Sequence, residues 1–258
     1  MIINPYQFGF SYDPDAWTYI LAVEAADGQA LESATRLAID KFVKGLKADN
    51  LWTAMGVAGI AYCSRTKAGA FVALKGPATT EVTTVGYSRT SGLQVGTGNG
   101  LNLNVLAADV SSQNNVHMAV WITVRNTNAN RSAFGDFSAS GSKISLFHSS
   151  TQFTPTCYTS VTDSFGSSGL QLMGVARNNS ANFIARNRKS SITFTRNSAP
   201  LADTDNNLWV CAAGTAANLP TAGWRGRVAF WSAGTYLDLP TLEARVETLI
   251  TELDAAIP

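Results

Sequence analysis

The stretch Val116–Val124, VHMAVWITV, limits what this chain can fold into more than any other. In an extended conformation Val116, Met118, Val120, Ile122 and Val124 share one face and His117, Ala119, Trp121 and Thr123 the other, so both faces are largely apolar or aromatic. A strand of that kind is covered on both sides. Ser111, Ser112, Asn114 and Asn115 precede it and Asn126, Thr127 and Asn128 follow it, which places loops at both ends. The stretch is expected to be the middle strand of an all-β sandwich.

From Val57 the chain is rich in β-branched residues, Gly, Ser, Thr and Asn. Strands are expected at 69–74, 81–87, 91–95, 116–124, 132–138, 143–148, 156–161, 170–178, 181–187, 191–196, 207–213 and 226–233. Short strands separated by turn signals make a sandwich or a barrel, and no internal repeat is visible.

Helices bracket this region. Asp13 and Pro14 read as N-cap and first helical residue of a helix that stops near Asp27 and Gly28. A second helix carries Leu31, Ala34, Leu37, Ala38, Phe42, Val43 and Leu46 at helical spacing, and Asn50 is expected to cap a last short turn. Near the C-terminus Asp238 caps, Pro240 lies in the first turn, and Leu242, Val246, Leu249, Ile250, Leu253 and Ile257 form one apolar stripe. The organisation expected is an extended arm (1–12), a helical unit (13–56) and a sandwich with its terminal helix (57–258, helix 238–256), the terminal helix packing against the N-terminal pair.

In the arm, Tyr6, Phe8, Phe10 and Tyr12 fall at every second position and line one face of an extended segment. Such a face either pads its own domain or docks on a neighbouring subunit or another protein.

Only 14% of the residues are charged and the net charge is +1, which gives no global electrostatic case for nucleic acid or an anionic membrane. No apolar run approaches the roughly 20 residues of a membrane span. The start MIINPYQ is unlike a secretory signal, so assembly in the cytoplasm is expected. Cys63, Cys157 and Cys211, an odd number at unrelated spacings, read as buried free thiols rather than a disulfide or metal framework.

Groups for catalysis are sparse. Glycoside hydrolysis needs two carboxyls flanking one bond, yet Glu24, Glu32, Glu81, Glu243, Glu247 and Glu252 all lie outside 82–240. Asp109, Asp136, Asp163, Asp203, Asp205 and Asp238 fall in or beside expected loops, where Asp forms turns. A calcium ion at Asp203 and Asp205 is the lesser alternative to a solvated turn there. His117 and His148 have no nucleophile elbow near them, and Gly96, Gly98 and Gly100 do not lead into a helix, so they read as loop glycines. Neither a catalytic set, a metal site nor a cofactor is expected.

Two features remain as binding candidates. The hairpin from Arg177 to Arg196 holds Arg177, Arg186, Arg188, Lys189 and Arg196, with Arg186 and Arg188 alternating on one strand face, as either a solvated face or a contact to an acidic partner. Trp224, followed by Arg225 in a loop of Pro, Thr and Gly, is either a packed loop tryptophan or a candidate for stacking on a sugar ring.

Segments in a fixed order carry a family resemblance: DPDAWTYI, GLKADNLWTAM, SGLQVGTGNGLN, VHMAVWITVR, LMGVARNNSANFIARN, LWVCAAGT and GRVAFWSAGTYLDLPTLEARVETLITEL. Over residues 13–254 the chain resembles the concanavalin-A-like (laminin-G-like) jelly-roll structural proteins of tailed phages and prophages. The resemblance implies a mainly β jelly-roll sandwich with an N-terminal helical pair and a C-terminal helix packed on it. It also implies a non-enzymatic role on the virion, in tail, baseplate, fibre or capsid exterior, with other virion proteins or further copies of the chain as partners. Members of this group are often taken to bind glycans, so a receptor adhesin that binds a host-surface glycan is the alternative reading. The aromatic arm lies outside the pattern.

Overall fold

The computed structural model describes residues 12–82, 84–95, 100–124, 131–136, 144–148, 152–159, 165–166, 170–199, 207–211 and 226–257. Along the chain come α1 (Pro14–Asp27), α2 (Ser33–Ala48), β1 (Met55–Ile60), α3 (Lys67–Ala70), β2 (Ala73–Lys75), β3 (Thr80–Val82), β4 (Val85–Ser88), β5 (Gly92–Val95), β6 (Gly100–Leu106) and α4 (Ala107–Val110). Then follow β7 (Val116–Val124), β8 (Arg131–Gly135), β9 (Ile144–His148), β10 (Gln152–Cys157), β11 (Phe165–Gly166), β12 (Gln171–Arg177), β13 (Asn182–Asn187), β14 (Ser190–Thr195), β15 (Asn207–Val210), β16 (Arg227–Gly234) and α5 (Leu239–Ala256).

The strands form two antiparallel sheets. The first runs β14-β13-β12-β7-β16-β1-β2, with β5 also on β16 and β4 on β5; the second runs β11-β10-β9-β8-β15-β6-β3. Val116, Met118, Val120 and Ile122 of β7 enter a buried cluster shared by both sheets, together with Met173, Val175, Leu101, Phe134 and Val210. Ala119 and Trp121, from the opposite face of the same strand, join a second cluster with Ile20, Phe42, Leu46, Leu242 and Leu249 of the helices. The molecule therefore has three layers, helices on sheet on sheet, with β7 in the middle. This is a mainly β sandwich of the jelly-roll type, as the sequence implied.

The helices begin where the sequence places their caps. Asp13 accepts a hydrogen bond from the Asp15 amide (3.0 Å), Pro14 opens α1, and Gly28 ends it at φ 69°, a left-handed conformation that suits glycine. Asp238 accepts from the Thr241 amide at 2.9 Å and starts α5. The buried side of α2 is wider than one stripe: Thr35 and Ile39 are inside and Ala34 is exposed, because α2 packs on both the sheet and α5. The terminal helix is tied to the N-terminal pair by Arg245 Nε and Nη2 to Asp49 (2.7 and 3.0 Å) and by Lys41 to Glu252 (2.9 Å). Its last turn meets the sheet region through the Tyr62 hydroxyl, which donates to Asp254.

Several expected boundaries move. β1 begins at Met55 and pairs with β16, so the division expected between residues 56 and 57 cuts a strand. Asn50 does not cap a new turn but takes φ 60° after α2. The strand expected at 69–74 is a helical turn, capped by Thr66, followed by the short β2. The 81–87 segment divides into β3, in the second sheet, and β4, in the first. β6 occupies a stretch expected to be a loop, and the strand expected at 156–161 lies earlier, at β10.

Candidate functional site

Among the described residues, the outer face of the second sheet carries a set of unspent hydrogen-bonding groups. Leu101, Leu103, Phe134, Ile144, Leu146, Cys157, Leu208 and Val210 point into the inter-sheet core. Strand alternation then turns their neighbours outward. Register aligns those neighbours in one row across six strands: Thr80, Asn102, Trp209, Gly135, Ser145 and Thr156. Asn102 Oδ1 accepts from the Asn104 amide at 2.8 Å. The indole N–H of Trp209 and the hydroxyl of Ser145 are buried and have no hydrogen-bond partner, and neither has Ser132 Oγ in the adjoining row. Unmade hydrogen bonds at buried groups are costly, so these atoms mark where a neutral polar partner, a hydroxyl-bearing ligand or water, would be satisfied. Trp209 is 0% exposed, so the row is not an open groove. In the sequence, only the parity of Leu208 and Val210 signals that the buried Trp209 faces away from the inter-sheet cluster.

The ionisable groups described are mostly spent on the fold. Asp27 accepts from the amides of Arg65 (2.7 Å) and Thr66 (2.8 Å) and from the Thr66 hydroxyl (2.7 Å), which fixes the entry to α3. Asp136 accepts from the Ile144 amide across β8 and β9. Glu32 pairs with Arg65 and Arg89. Although its partial burial works the other way, the bond from Arg89 holds its carboxyl below the usual range. His117 lies wholly buried, with Nδ1 2.5 Å from the Thr235 carbonyl and Nε2 3.2 Å from Ser232 Oγ. A carbonyl only accepts, so Nδ1 carries the proton and Nε2 accepts from the serine. Burial pushes its pKa down to about 4, so it is a neutral structural histidine at pH 7.

The basic hairpin differs from its expected form. Arg186 is not a free cation: its Nε and Nη2 lie 2.6 and 2.5 Å from Glu243 of α5. Arg188 does not share its strand face, since Arg188 and Lys189 form the turn between β13 and β14, at φ 44° and 60°. Arg177 is 1% exposed and donates to the carbonyls of Cys157 (2.9 Å) and Arg196 (3.1 Å), with its guanidinium 5.5 Å from the Phe183 ring. The patch therefore works largely as internal bracing.

Cys63, Cys157 and Cys211 are free, buried thiols, as expected. Burial raises the pKa of each, that of Cys157 to about 12, which keeps them as unreactive thiols. Tyr12 stacks on Trp17 of its own α1, ring centroids 5.0 Å apart. The other expected contact residues, Tyr6, Phe8, Phe10, Trp224 and Arg225, lie outside the described residues, as do Asp203 and Asp205. Among the described residues no cluster of His, Cys, Asp and Glu is placed to hold a metal, and no helix is long and apolar enough to cross a membrane. A cavity of about 270 Å³ between α2 and α5 is lined by Lys41, Phe42, Arg245, Leu249 and Glu252.

No protein-family model matches the chain, and no curated protein matches its sequence. Among solved structures, the Ruminococcus gnavus IT-sialidase CBM40 bound to α2,3 sialyllactose is 14% identical over 60% of this chain and 95% of that one, with a TM-score of 0.45. The same module bound to α2,6 sialyllactose is 16% identical, covering 60% and 96%, again with a TM-score of 0.45. Trypanosoma rangeli sialidase in complex with sialic acid is 12% identical over 84% of this chain and 38% of that one, TM-score 0.46. Likenesses this distant say nothing about what this chain binds or does.

Proposed function

We propose that this chain is a non-enzymatic structural component of a tailed-phage virion, a jelly-roll sandwich braced by helices from both ends of the sequence. The observation that carries the non-enzymatic part is where the ionisable side chains go. Asp27, Asp136, Glu32 and Glu243 hold loop, hairpin and helix in place, and His117 is neutral and enclosed. A carboxylate already holding backbone amides or a guanidinium is poorly free to act as acid, base or nucleophile. The phage assignment is supported by the ordered segments from DPDAWTYI to the terminal helix. Antibody-gold labelling of purified particles tests it. Label on tail, baseplate, fibre or capsid is the expected result, and particles free of the chain would overturn the reading. Incubation with host envelope polysaccharides should release no oligosaccharide.

Glycan binding on the particle is the second reading. Its candidates are Trp224 and Arg225, the loop residues from the sequence; Trp209 and Ser145 have unpartnered donors but are fully buried, so they would serve only if the cover over their row opened. Glycan-array binding that Trp209→Phe or Trp224→Ala abolishes would support it, and an array without signal would remove it.

A further inference from the structure

β14 ends the first sheet, and the usual guards of an edge strand are missing from it. Among the described residues no strand lies beyond it, and Ser190, Ser191, Thr193 and Thr195 are exposed. Its six residues, SSITFT, include no charge, proline or glycine, and they follow β13 in unbroken register from Asn182 opposite Thr195 to Asn187 opposite Ser190. Edge strands are ordinarily blunted by lysine, proline or a bulge, because their outward amides and carbonyls recruit other strands. The adjoining lysine, Lys189, is drawn to Glu247 of α5 at 2.9 Å.

The hairpin turn decides which backbone groups face outward. Arg188 and Lys189, at φ 44° and 60°, make a two-residue turn of the kind that closes with hydrogen bonds between Asn187 and Ser190. Bonding to β13 then falls to Ser190, Ile192 and Phe194, and alternation turns the amides and carbonyls of Ser191, Thr193 and Thr195 away from the sheet. The Thr195 carbonyl accepts from Arg196 Nη1 at 3.0 Å and keeps a second lone pair.

Around Thr193 the strand is a palindrome in chemical type, running hydroxyl, apolar, threonine, apolar, hydroxyl from Ser191 to Thr195. A two-fold interface needs that symmetry, since each residue must suit the one it meets on an identical surface. We infer that a second copy of this chain pairs with β14, antiparallel and centred on Thr193, so that the first sheets of two molecules become one. Thr193 then meets its own counterpart on the axis, and Ser191 lies opposite the partner's Thr195. On the other face Ile192 lies opposite the partner's Phe194. That face already carries Phe183 and Ala185 of the inter-sheet cluster, so the apolar pairs extend the core across the axis.

Single cysteines test the register, because Cys63, Cys157 and Cys211 are buried and do not compete. Opposed residues of a hydrogen-bonded antiparallel pair have Cα atoms about 5.5 Å apart, within the span of a disulfide. Thr193→Cys should therefore cross-link two chains under mild oxidation. Ser191→Cys alone and Thr195→Cys alone should do so at least about ten-fold more slowly, since each lies about 13 Å along the strand from its own counterpart. Mixing those two variants should give the mixed disulfide. By light scattering the parent chain should be a dimer, and Thr193→Pro a monomer with unchanged circular dichroism, because the lost amide points away from β13. A monomeric parent chain, equal cross-linking at all three positions, or a folded Thr193→Pro variant that stays dimeric would overturn the inference.

Discussion

Glu243 of α5 accepts from Arg186 Nε at 2.6 Å and, on the same side chain, from the backbone amide of Lys189 at 3.0 Å. One carboxylate on the terminal helix thus holds both a strand of the first sheet and the left-handed turn that follows it. The pair is nearly dry, with side-chain exposures of 11% for Arg186 and 2% for Glu243. Removing one partner leaves the other buried charge uncompensated. Glu243→Ala should therefore lower unfolding free energy by about 3–5 kcal/mol, whereas Arg186→Met with Glu243→Leu should stay within about 1–2 kcal/mol of the parent. Urea midpoints at constant m-value read both; a single variant as stable as the parent would show that the pair is dispensable.

His117 gives the fold a pH dependence of definite sign. Its folded pKa is about 4 against an ordinary 6.5, so between those values the unfolded chain binds a proton that the folded chain does not. The stabilisation is complete above about pH 6.5 and is lost as pH falls to about 4, a change of roughly 3 kcal/mol for a shift of this size. His117→Asn should flatten this part of the stability–pH curve relative to the parent. Parallel curves for the two proteins between pH 7 and 4 would exclude His117 as the source.

Elements with strong one-letter patterns were legible from the sequence, and those built by register were not. VHMAVWITV announced a strand covered on two sides because both parities are apolar, and both buried clusters indeed meet at β7. MGVAGI did not announce β1, since its glycines look like loop residues. LNLNVL did not announce β6, whose asparagines occupy its outward face. The caps of α1 and α5 were readable because Asp-Pro and Asp-Leu-Pro act locally. Arg186 looked like surface charge because its partner lies 57 residues away, a pairing no local pattern encodes. The outward row at Trp209 depends on the alignment of six strands, which single-strand patterns leave open.

Gly59 shows why β1 carries a glycine opposite Trp231. A Cβ there would lie 2.0 Å from Cζ2 of Trp231, which is 1% exposed and belongs to the inter-sheet cluster. The indole occupies the space a side chain at Gly59 would need, and Gly59 pairs with Trp231 in the ladder between β1 and β16. Gly59→Ala should destabilise by about 1–3 kcal/mol or more, through displacement of the indole from its packed position. Near-ultraviolet circular dichroism should change along with the melting temperature. Loss of stability without a change in the aromatic signal would point to backbone effects instead.

The terminal helix is an integral part of the core rather than a tether. Leu242, Val246, Leu249 and Leu253 are each at most 1% exposed, and they share a cluster with Ala119 and Trp121 of the central strand. Burying four such side chains contributes about 1.5–3 kcal/mol each, against a typical domain stability of about 5–15 kcal/mol. Deletion would also strip the partners of Arg186, Asp49 and Tyr62, exposing the helical face of the first sheet and one side of α2. Removal of residues 239–258 should therefore give a protein that is insoluble, or that keeps far-ultraviolet circular dichroism while losing cooperative melting. Supplying the same segment as a separate peptide at high concentration should restore a cooperative transition, since the groove between α2 and the first sheet is shaped for it. A truncated chain that melts sharply within a few degrees of the parent would show that the helix is held by the fold without holding it together.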